Sequence, residues 1–351
     1  MIKLSLKSEF IFTTCQVGAE PVLKKEFLRD QPGFRFAFSR PGYVTFKSTD
    51  GPVPFDFTLE SVFARVYGVS FGTIAISDLS KLSEIIQESE NANVHLQVWE
   101  RDLYPPGEEP MGFKAGALLG DLESRIRHLG LNVPAGTPQF GDWVVQVVAL
   151  DPGKVGIGAF IHSPSHSPWP GGHPGIILPA ESPSRAYLKM EEVLLWSDAP
   201  VRKGDTAVEI GSAPGGATFA LLQRGLKVVG IDPAKMDPRI ERHPAFAHVQ
   251  RPVAQVLREE LPDSIQWLVL DMNTDPQIAL YSVERLAARM SESLLGVILT
   301  IKLNEWKMAD EIPNFIEQVE AMGMVRVKAA QLSYHRKEIV IFGLTRLGVK
   351  K

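Results

Sequence analysis

The chain has 351 residues, 44% of them apolar and 22% charged, with a net charge of −4; it is long enough for two or three domains, each able to bury a core. Its single cysteine, Cys15, excludes an internal disulfide framework, so a reducing cytoplasm is the expected setting. No apolar run reaches the ~18–20 residues that span a bilayer, and the N-terminus, MIKLSLKSEFIFTTC, lacks the long apolar stretch and small-residue cleavage site of a signal peptide.

In chain order, FIFTTCQ and YVTFK read as strands. Between them AEPVLKKEFLRD reads as a helix with Val22, Leu23 and Phe27 on one face. FGTIAIS and VHLQVWE follow as strands. The stretch KAGALLGDLESRIRHLG (114–130) reads as a helix whose stripe is Leu118, Leu119, Leu122, Ile126 and Leu129, stopping at Gly130. WVVQVVAL and KVGIGAFI are the next strands. SPSHSPWPGGHPG, 163–175, holds four prolines and three glycines and reads as an interdomain linker. His162, His166 and His173 lie in or beside it with no cysteine or acid at metal spacing, so no metal is expected. Charge is divided unevenly. Residues 1–165 carry 15 Lys and Arg against 19 Asp and Glu, and residues 166–351 carry 22 of each, so an RNA partner would need basic residues clustered in space.

After the linker, strands alternate with helices, the pattern of a parallel α/β sheet. Strands are expected at 206–211, 227–232, 265–271, 295–302, 325–331 and 338–346, and helices at 184–197, 216–224, 277–292 and 309–322. The last two strands are joined by only a short turn near Tyr334–Lys337, too short for a parallel crossover, so the sheet should end in an antiparallel hairpin.

The segment DTAVEIGSAPGGATFALLQRG, 205–225, runs from a strand through a small-residue turn into a helix. Glycine permits such a turn and lets a ligand approach the main chain. A dinucleotide turn, G-x-G-x-x-G, would place Ala213 where its middle glycine must meet phosphate, which disfavours a NAD-dependent dehydrogenase. S-adenosylmethionine, which has no pyrophosphate, fits better. Glu209 is placed to reach its ammonium group, and Asp232, at the next strand end, to accept the ribose hydroxyls. The cofactor set is therefore Glu209, Gly211, Ser212, Ala213, Pro214, Gly215, Gly216 and Asp232, with Asp271 beside them. The segment HVQRPVAQVL, 248–257, offers no acid that could hold an adenine amino group, which leaves main-chain atoms or a weaker affinity.

Three more charged residues close strands on the same edge or open one there: Asp271 after IQWLVL, Lys302 after GVILTI, and Glu338 before IVIFGL. A lysine at the end of an apolar strand has its pKa lowered by desolvation, and Asp271 can hold it. PAESPSRAYLKMEEVLLW reads as a helix capped by Ser182 or Ser184, with Ala186, Met190, Val193 and Leu194 buried. By spacing alone, Lys189 beside that stripe is a surface lysine.

VEIGSAPGG followed by the strand-end Asp, Lys and Glu resembles the FtsJ-like RNA 2′-O-ribose methyltransferases. LPAESPSRAYLKMEEV and QLSYHRKEIVIF are similar to the bacterial 23S rRNA 2′-O-ribose methyltransferase M family; FTTCQVGAEPVLKKEF and SVFARV resemble its N-terminal region. The resemblance implies a Rossmann-like α/β methyltransferase sheet with an antiparallel last strand at 176–351, after the linker at 163–175. Before these it implies a ferredoxin-like subdomain at 1–68 and a THUMP RNA-binding domain at 69–162. It implies the catalytic set Lys189, Asp271, Lys302 and Glu338, with Lys302 as base and Lys189 steering the ribose and phosphate. Arg185, Arg336 and Lys337 flank that set as phosphate contacts, and Trp306, with Lys307 beside it, is a candidate for stacking on RNA. The expected protein is a cytoplasmic monomer, S-adenosylmethionine its cofactor, and 23S rRNA its substrate, free or in an early assembly intermediate. Two alternatives stay open. One is a THUMP-bearing base N-methyltransferase, although LDMNTDP lacks its D/N-P-P-Y/F element. The other is a non-catalytic RNA-binding assembly factor.

Overall fold

The computed structural model describes residues 6–351 apart from 88–92, 112–113, 115, 117, 120–121, 130–135, 289 and 291. It divides into two compact units, residues 1–174 and 175–351.

The first unit is built on β1 (Phe10–Thr14), α1 (Glu20–Asp30), β2 (Phe34–Arg40), β3 (Tyr43–Ser48), β4 (Val66–Ala75), α2 (Ser80–Gln87), β5 (Val94–Glu100), α3 (Leu122–His128), β6 (Trp143–Asp151) and β7 (Lys154–Ile161). Its seven strands form one sheet in the order β2-β3-β1-β4-β7-β6-β5, antiparallel except for the β5–β6 pair. β2 and the first half of β4, both unanticipated, complete it. The boundary expected at 68/69 falls inside β4, so one sheet runs through both expected subdomains. Of the expected 114–130 helix, Leu122–His128 is helical among the described residues; Leu119 N–H donates to the Gly116 carbonyl at 3.0 Å, Leu118, Leu119 and Leu129 pack on the core, and Gly130 lies outside the described residues.

The expected linker is packed into this unit as far as Pro174. His166 stacks on Phe160 with ring centroids 4.2 Å apart, Gln97 donates to the Pro168 carbonyl at 2.9 Å, and Gly171 and Gly172 are buried. Its prolines and glycines prevent regular structure without preventing close packing. Burial pushes His166 down to about 3, so it stays neutral, and His173 contacts Asp102 and Arg65 instead. Among the described residues no group of three or more His, Cys, Asp or Glu could hold a metal, and no helix is long and apolar enough to cross a membrane. Cys15 is buried.

The second unit comprises α4 (Ala186–Ser197), β8 (Thr206–Ile210), α5 (Gly216–Gln223), β9 (Lys227–Ile231), α6 (Pro238–Glu241), β10 (Phe246–Val249), β11 (Trp267–Asp271), α7 (Pro276–Ala287), β12 (Gly296–Lys302), α8 (Ile312–Ala321), β13 (Arg326–Ala330), β14 (Glu338–Leu344) and α9 (Arg346–Val349). Its sheet runs β10-β9-β8-β11-β12-β14-β13. The strands from β10 to β12 are parallel, and β14 is inserted antiparallel between β12 and β13. This is a Rossmann-like sheet with the antiparallel end that the short turn requires. Trp267, Val269, Ile298, Val340 and Phe342 fill the core, and helices cover both faces as a parallel sheet demands. The edge strand β10, four residues long, was not anticipated.

Candidate active site

Chain order reverses beside β8, and the ends of the parallel strands there form the crevice where open α/β sheets bind ligands. Gly211 follows β8 with φ +81°, a conformation that L side chains rarely adopt, and a Cβ on it would lie 2.5 Å from the Asp271 carbonyl oxygen. Glycine thus brings the ends of β8 and β11 together. Gly215, at φ +113°, turns the chain into α5. Asp232, just past β9, accepts hydrogen bonds from Ala213 N–H at 3.1 Å and Ala234 N–H at 2.8 Å, tying the two loops to each other.

A cavity of about 650 Å³ opens over this edge, lined by Gly211, Ala213, Asp232 and Asp271 among others. The rest of the expected cofactor set lies behind the lining. Ser212 is buried against Met236, Gly215 and Gly216 pack against Ile240 and Ser184, and Pro214 accepts a backbone bond from Asp237. Glu209 is 1% exposed and accepts from Thr218 Oγ1 at 2.6 Å. Burial pushes its carboxyl up to about 8, against the Thr218 bond and with help from Asp271 and Asp232.

Beside the cavity, four charged side chains close into a ring. β12 and β14 pair so that Lys302 lies directly opposite Glu338, and β11 ends at Asp271 next to them. Helix α4 brings Lys189 from a distant part of the chain. Lys189 Nζ lies 2.7 Å from Asp271 Oδ2 and 3.2 Å from Glu338 Oε1. Lys302 Nζ lies 3.0 Å from Asp271 Oδ1 and also donates to Glu338 Oε2. Each cation therefore meets both carboxylates. All four side chains are less than one-fifth exposed. Burial pulls Lys302 down, but Asp271 and Glu338 outweigh it and hold the ammonium above the usual lysine range. Burial raises Glu338, yet His335 and the two lysines overcome that and bring it to about 2. His335 is fully buried, and burial pushes it down to about 4.

Sequence reasoning missed Glu192. One turn beyond Lys189 on α4 and 1% exposed, it accepts from the N–H groups of Ser333 and Tyr334, both at 2.9 Å, and from the Ser333 hydroxyl. It fastens α4 to the loop that leads into Glu338. The signal was an acid inside an apolar helical stripe, KMEEVLL. The expected caps of α4 fall early, Ser184 by one position and Ser182 by three: Arg185 is the N-cap, while Ser184 Oγ accepts from Ala186 N–H at 3.3 Å. Arg185, Arg336 and Lys337 are exposed on the elements that carry the ring, and Trp306 is half-buried in the 3₁₀ turn after β12. Where an acid was missing for adenine, Pro252, Val253 and Ala254 line the cavity, and Arg285 donates to the carbonyls of Val253 and Ala254.

The second unit thus joins a Rossmann-like sheet, a crevice at the point where chain order reverses, and a lysine–carboxylate ring at the same edge. Residues 183–336, within the second unit, match the FtsJ-like methyltransferase family. Ribosomal RNA large subunit methyltransferase M of Xylella fastidiosa (strain 9a5c) is 34% identical over 185 residues, half of this chain and 51% of that protein. The chain thus spans about half the length of that relative. The protein of the same name from Halorhodospira halophila (strain DSM 244 / SL1) is 27% identical over 343 residues, 93% of this chain and 94% of that one. Among solved structures, TrmN from Thermus thermophilus shows a slight likeness, with a TM-score of 0.35 and 12% identity over 95% of this chain and 99% of that one.

The cofactor of such a domain is S-adenosylmethionine, and the residues present fit it. The cavity has room for a nucleoside bearing an amino acid, and Asp232 offers a carboxylate at its wall. Behind the turn, Glu209 is a buried carboxyl with no cation bonded to it among the described residues.

Proposed function

We propose that the chain methylates a ribose 2′-hydroxyl of large-subunit ribosomal RNA. The observation that carries this reading is the closed ring of Lys189, Asp271, Lys302 and Glu338 at the strand ends beside the Gly211 turn. S-adenosylmethionine supplies a methyl group on a positively charged sulfur. A ribose hydroxyl is a weak nucleophile and must lose its proton, or share it, as its oxygen bonds to that methyl and the carbon–sulfur bond breaks. Lys302 takes that proton in its neutral form, after its ammonium has released a proton to solvent, and Lys189 orients the ribose and its phosphate. In the ligand-free protein Lys302 is held charged. A positive charge placed beside Asp271 weakens that carboxylate's hold on both lysines and lowers their proton affinity. The four groups titrate as one coupled set. Asp271 and Glu338 also fix the two ammonium groups in place, which matters because general-base catalysis depends on geometry first.

Arg185, Arg336 and Lys337 supply phosphate contacts around the ring, and Trp306 offers a ring to a base. The substrate is 23S rRNA, free or in an early assembly intermediate, met in the cytoplasm by a monomer. The first 162 residues act as the ferredoxin-like and THUMP-like RNA-binding region. Support comes from the relatives' name and from the FtsJ-like domain. The test is to incubate the protein with labelled cofactor and either deproteinised rRNA or assembled subunits, then map the product. One alkali-resistant linkage in the free rRNA is expected. A methylated base would overturn the reading.

A further inference from the structure

The first unit carries a basic, aromatic face that the methyl-transfer reading leaves unused. Charge in this unit is segregated along the chain. Residues 1–50 hold eight Lys and Arg against five Asp and Glu, whereas residues 69–162 hold six against twelve. Binding a polyanion needs local positive charge. That favours the first segment over the acidic span in which RNA binding was expected.

Strand pairing decides which side chains share a face. Ile11 lies opposite Phe46, and Phe46 stacks on Phe27 of α1 with ring centroids 3.9 Å apart, so α1 covers that side. Phe10 lies opposite Lys47 and Phe12 opposite Thr45, which puts both rings on the other side. In β2 the register shifts: Phe36 opposes Phe46, but Phe38 opposes Thr45. The extra residue, Ala37, therefore moves Phe38 across the sheet to join Phe10, where a regular strand would have kept it with Phe36. Together they line a cavity of about 490 Å³, with Lys7, Arg40 and Tyr43. Phe10 is 39% exposed and Phe38 51%, although rings of this size are usually withdrawn from water. Each has a cation over it: Lys47 at 5.4 Å from the Phe10 centroid and Arg40 at 5.1 Å from that of Phe38. Arg35, opposite Lys47, is exposed on the same side. Two carboxylates temper the charge, Glu9 bound to Lys47 at 3.0 Å and Asp151 bound to Arg40.

We infer that this face docks single-stranded RNA, with Phe10 and Phe38 stacking on bases and Lys7, Arg35, Arg40 and Lys47 meeting the flanking phosphates. Exposed rings bordered by cations match a chain of flat bases joined by phosphates. A duplex hides its base faces and would leave the rings without partners. The inference rests on the RNA-substrate reading above and adds a second RNA contact, carried by the first unit.

The test is an anisotropy titration of the full chain with a labelled single strand of about ten uridines and with a duplex of the same length. The wild-type chain should prefer the single strand. Phe10→Ala and Phe38→Ala should each weaken that binding about tenfold, while Phe38→Tyr, which keeps a ring, should stay near wild type. Far-UV circular dichroism and affinity for S-adenosylhomocysteine by calorimetry should be unchanged in all three, showing that both units are folded. Undiminished single-strand binding by the alanine variants, a preference for duplex, or binding only to anionic phospholipid vesicles overturns the inference. Undiminished binding alongside normal ribose methylation removes this face and leaves the enzyme reading intact. A methylated base in the product, with the stacking effect preserved, does the reverse.

Discussion

Glu209 and Glu338 stand at the same sheet edge, both buried, and their carboxyls are driven in opposite directions. Glu338 has two lysines against it and is held at about 2. Glu209 has a threonine hydroxyl and is pushed up to about 8. Burial is common to both, so the nearby cations decide the outcome. The β11–β12–β14 half of the edge is neutralised from within, two ammonium groups against two carboxylates. The β8 half has a carboxyl whose ionised form is unfavourable until a positive group arrives. On the proposed function, one half does the chemistry and the other receives a cationic ligand.

The largest expected effect comes from making the first half resemble the second. Lys302→Ala leaves Asp271 and Glu338 with Lys189 alone. Single-turnover methyl transfer should fall by about 10²–10⁴, the usual contribution of a positioned base. Affinity for S-adenosylhomocysteine should stay near wild type by calorimetry, because Lys302 is not part of the cavity lining. A variant that transfers methyl at the normal rate removes Lys302 from the mechanism.

The ring also depends on a clamp that the cofactor half does not use. Glu192→Ala leaves the N–H groups of Ser333 and Tyr334 buried without their acceptor, at about 1–3 kcal/mol for each unsatisfied donor. A loss of about 2–4 kcal/mol is expected in denaturant unfolding. Glu192→Gln keeps an acceptor and should recover part of both stability and turnover. If Glu192→Ala lowers stability while kcat is unchanged, the clamp serves the fold and not the ring.

The difference between the halves also explains what the sequence could disclose. Asp271, Lys302 and Glu338 were legible because each sits at the end of an apolar run, and strand ends in a parallel sheet share an edge. Lys189 was not legible by spacing: its helix packs beside the edge through tertiary contacts, and only the resemblance singled it out. Glu209 was legible as an acid near the turn, yet its inward orientation follows from the position of Thr218 on α5, which no local pattern states. In the first unit, β2 was missed because FRFAFSR alternates with mostly exposed residues, and its bulge has no signature in the sequence. The Pro- and Gly-rich stretch disclosed the lack of regular structure correctly, but composition does not tell whether such a segment packs.

The halves should also separate by pH. Folded Glu209 keeps its proton up to about 8, whereas the unfolded chain releases it near the ordinary value of 4.5. Between these values the native state binds more protons, so unfolding free energy falls as pH rises, by at most about 1.4 kcal/mol per pH unit. Glu338 acts in the opposite sense. Its contribution is fully present above 4.5 and is lost as pH falls through about 2. Glu209→Gln should therefore flatten the stability profile between 4.5 and 8, and Glu338→Gln should flatten it below 4.5. Denaturant titrations across pH read both. Identical profiles for Glu209→Gln and wild type would mean that Glu209 is not the uncompensated group.

The smallest effect concerns the far wall of the cofactor half. Arg285 donates to the carbonyls of Val253 and Ala254, and those residues line the cavity where no acid is present to hold an adenine. Pinning that segment in advance lowers the cost of ordering it around a ligand, which is worth about 0.5–1.5 kcal/mol for one immobilised element. Arg285→Ala should weaken S-adenosylhomocysteine binding about three- to tenfold, with methyl transfer at saturating cofactor unchanged, because the Lys–Asp–Lys–Glu ring does not touch this wall. Arg285→Lys keeps the charge but loses the forked donor geometry, and it should bind almost as weakly as the alanine variant. If the lysine variant binds like wild type, the positive charge matters at this wall and the backbone pin does not.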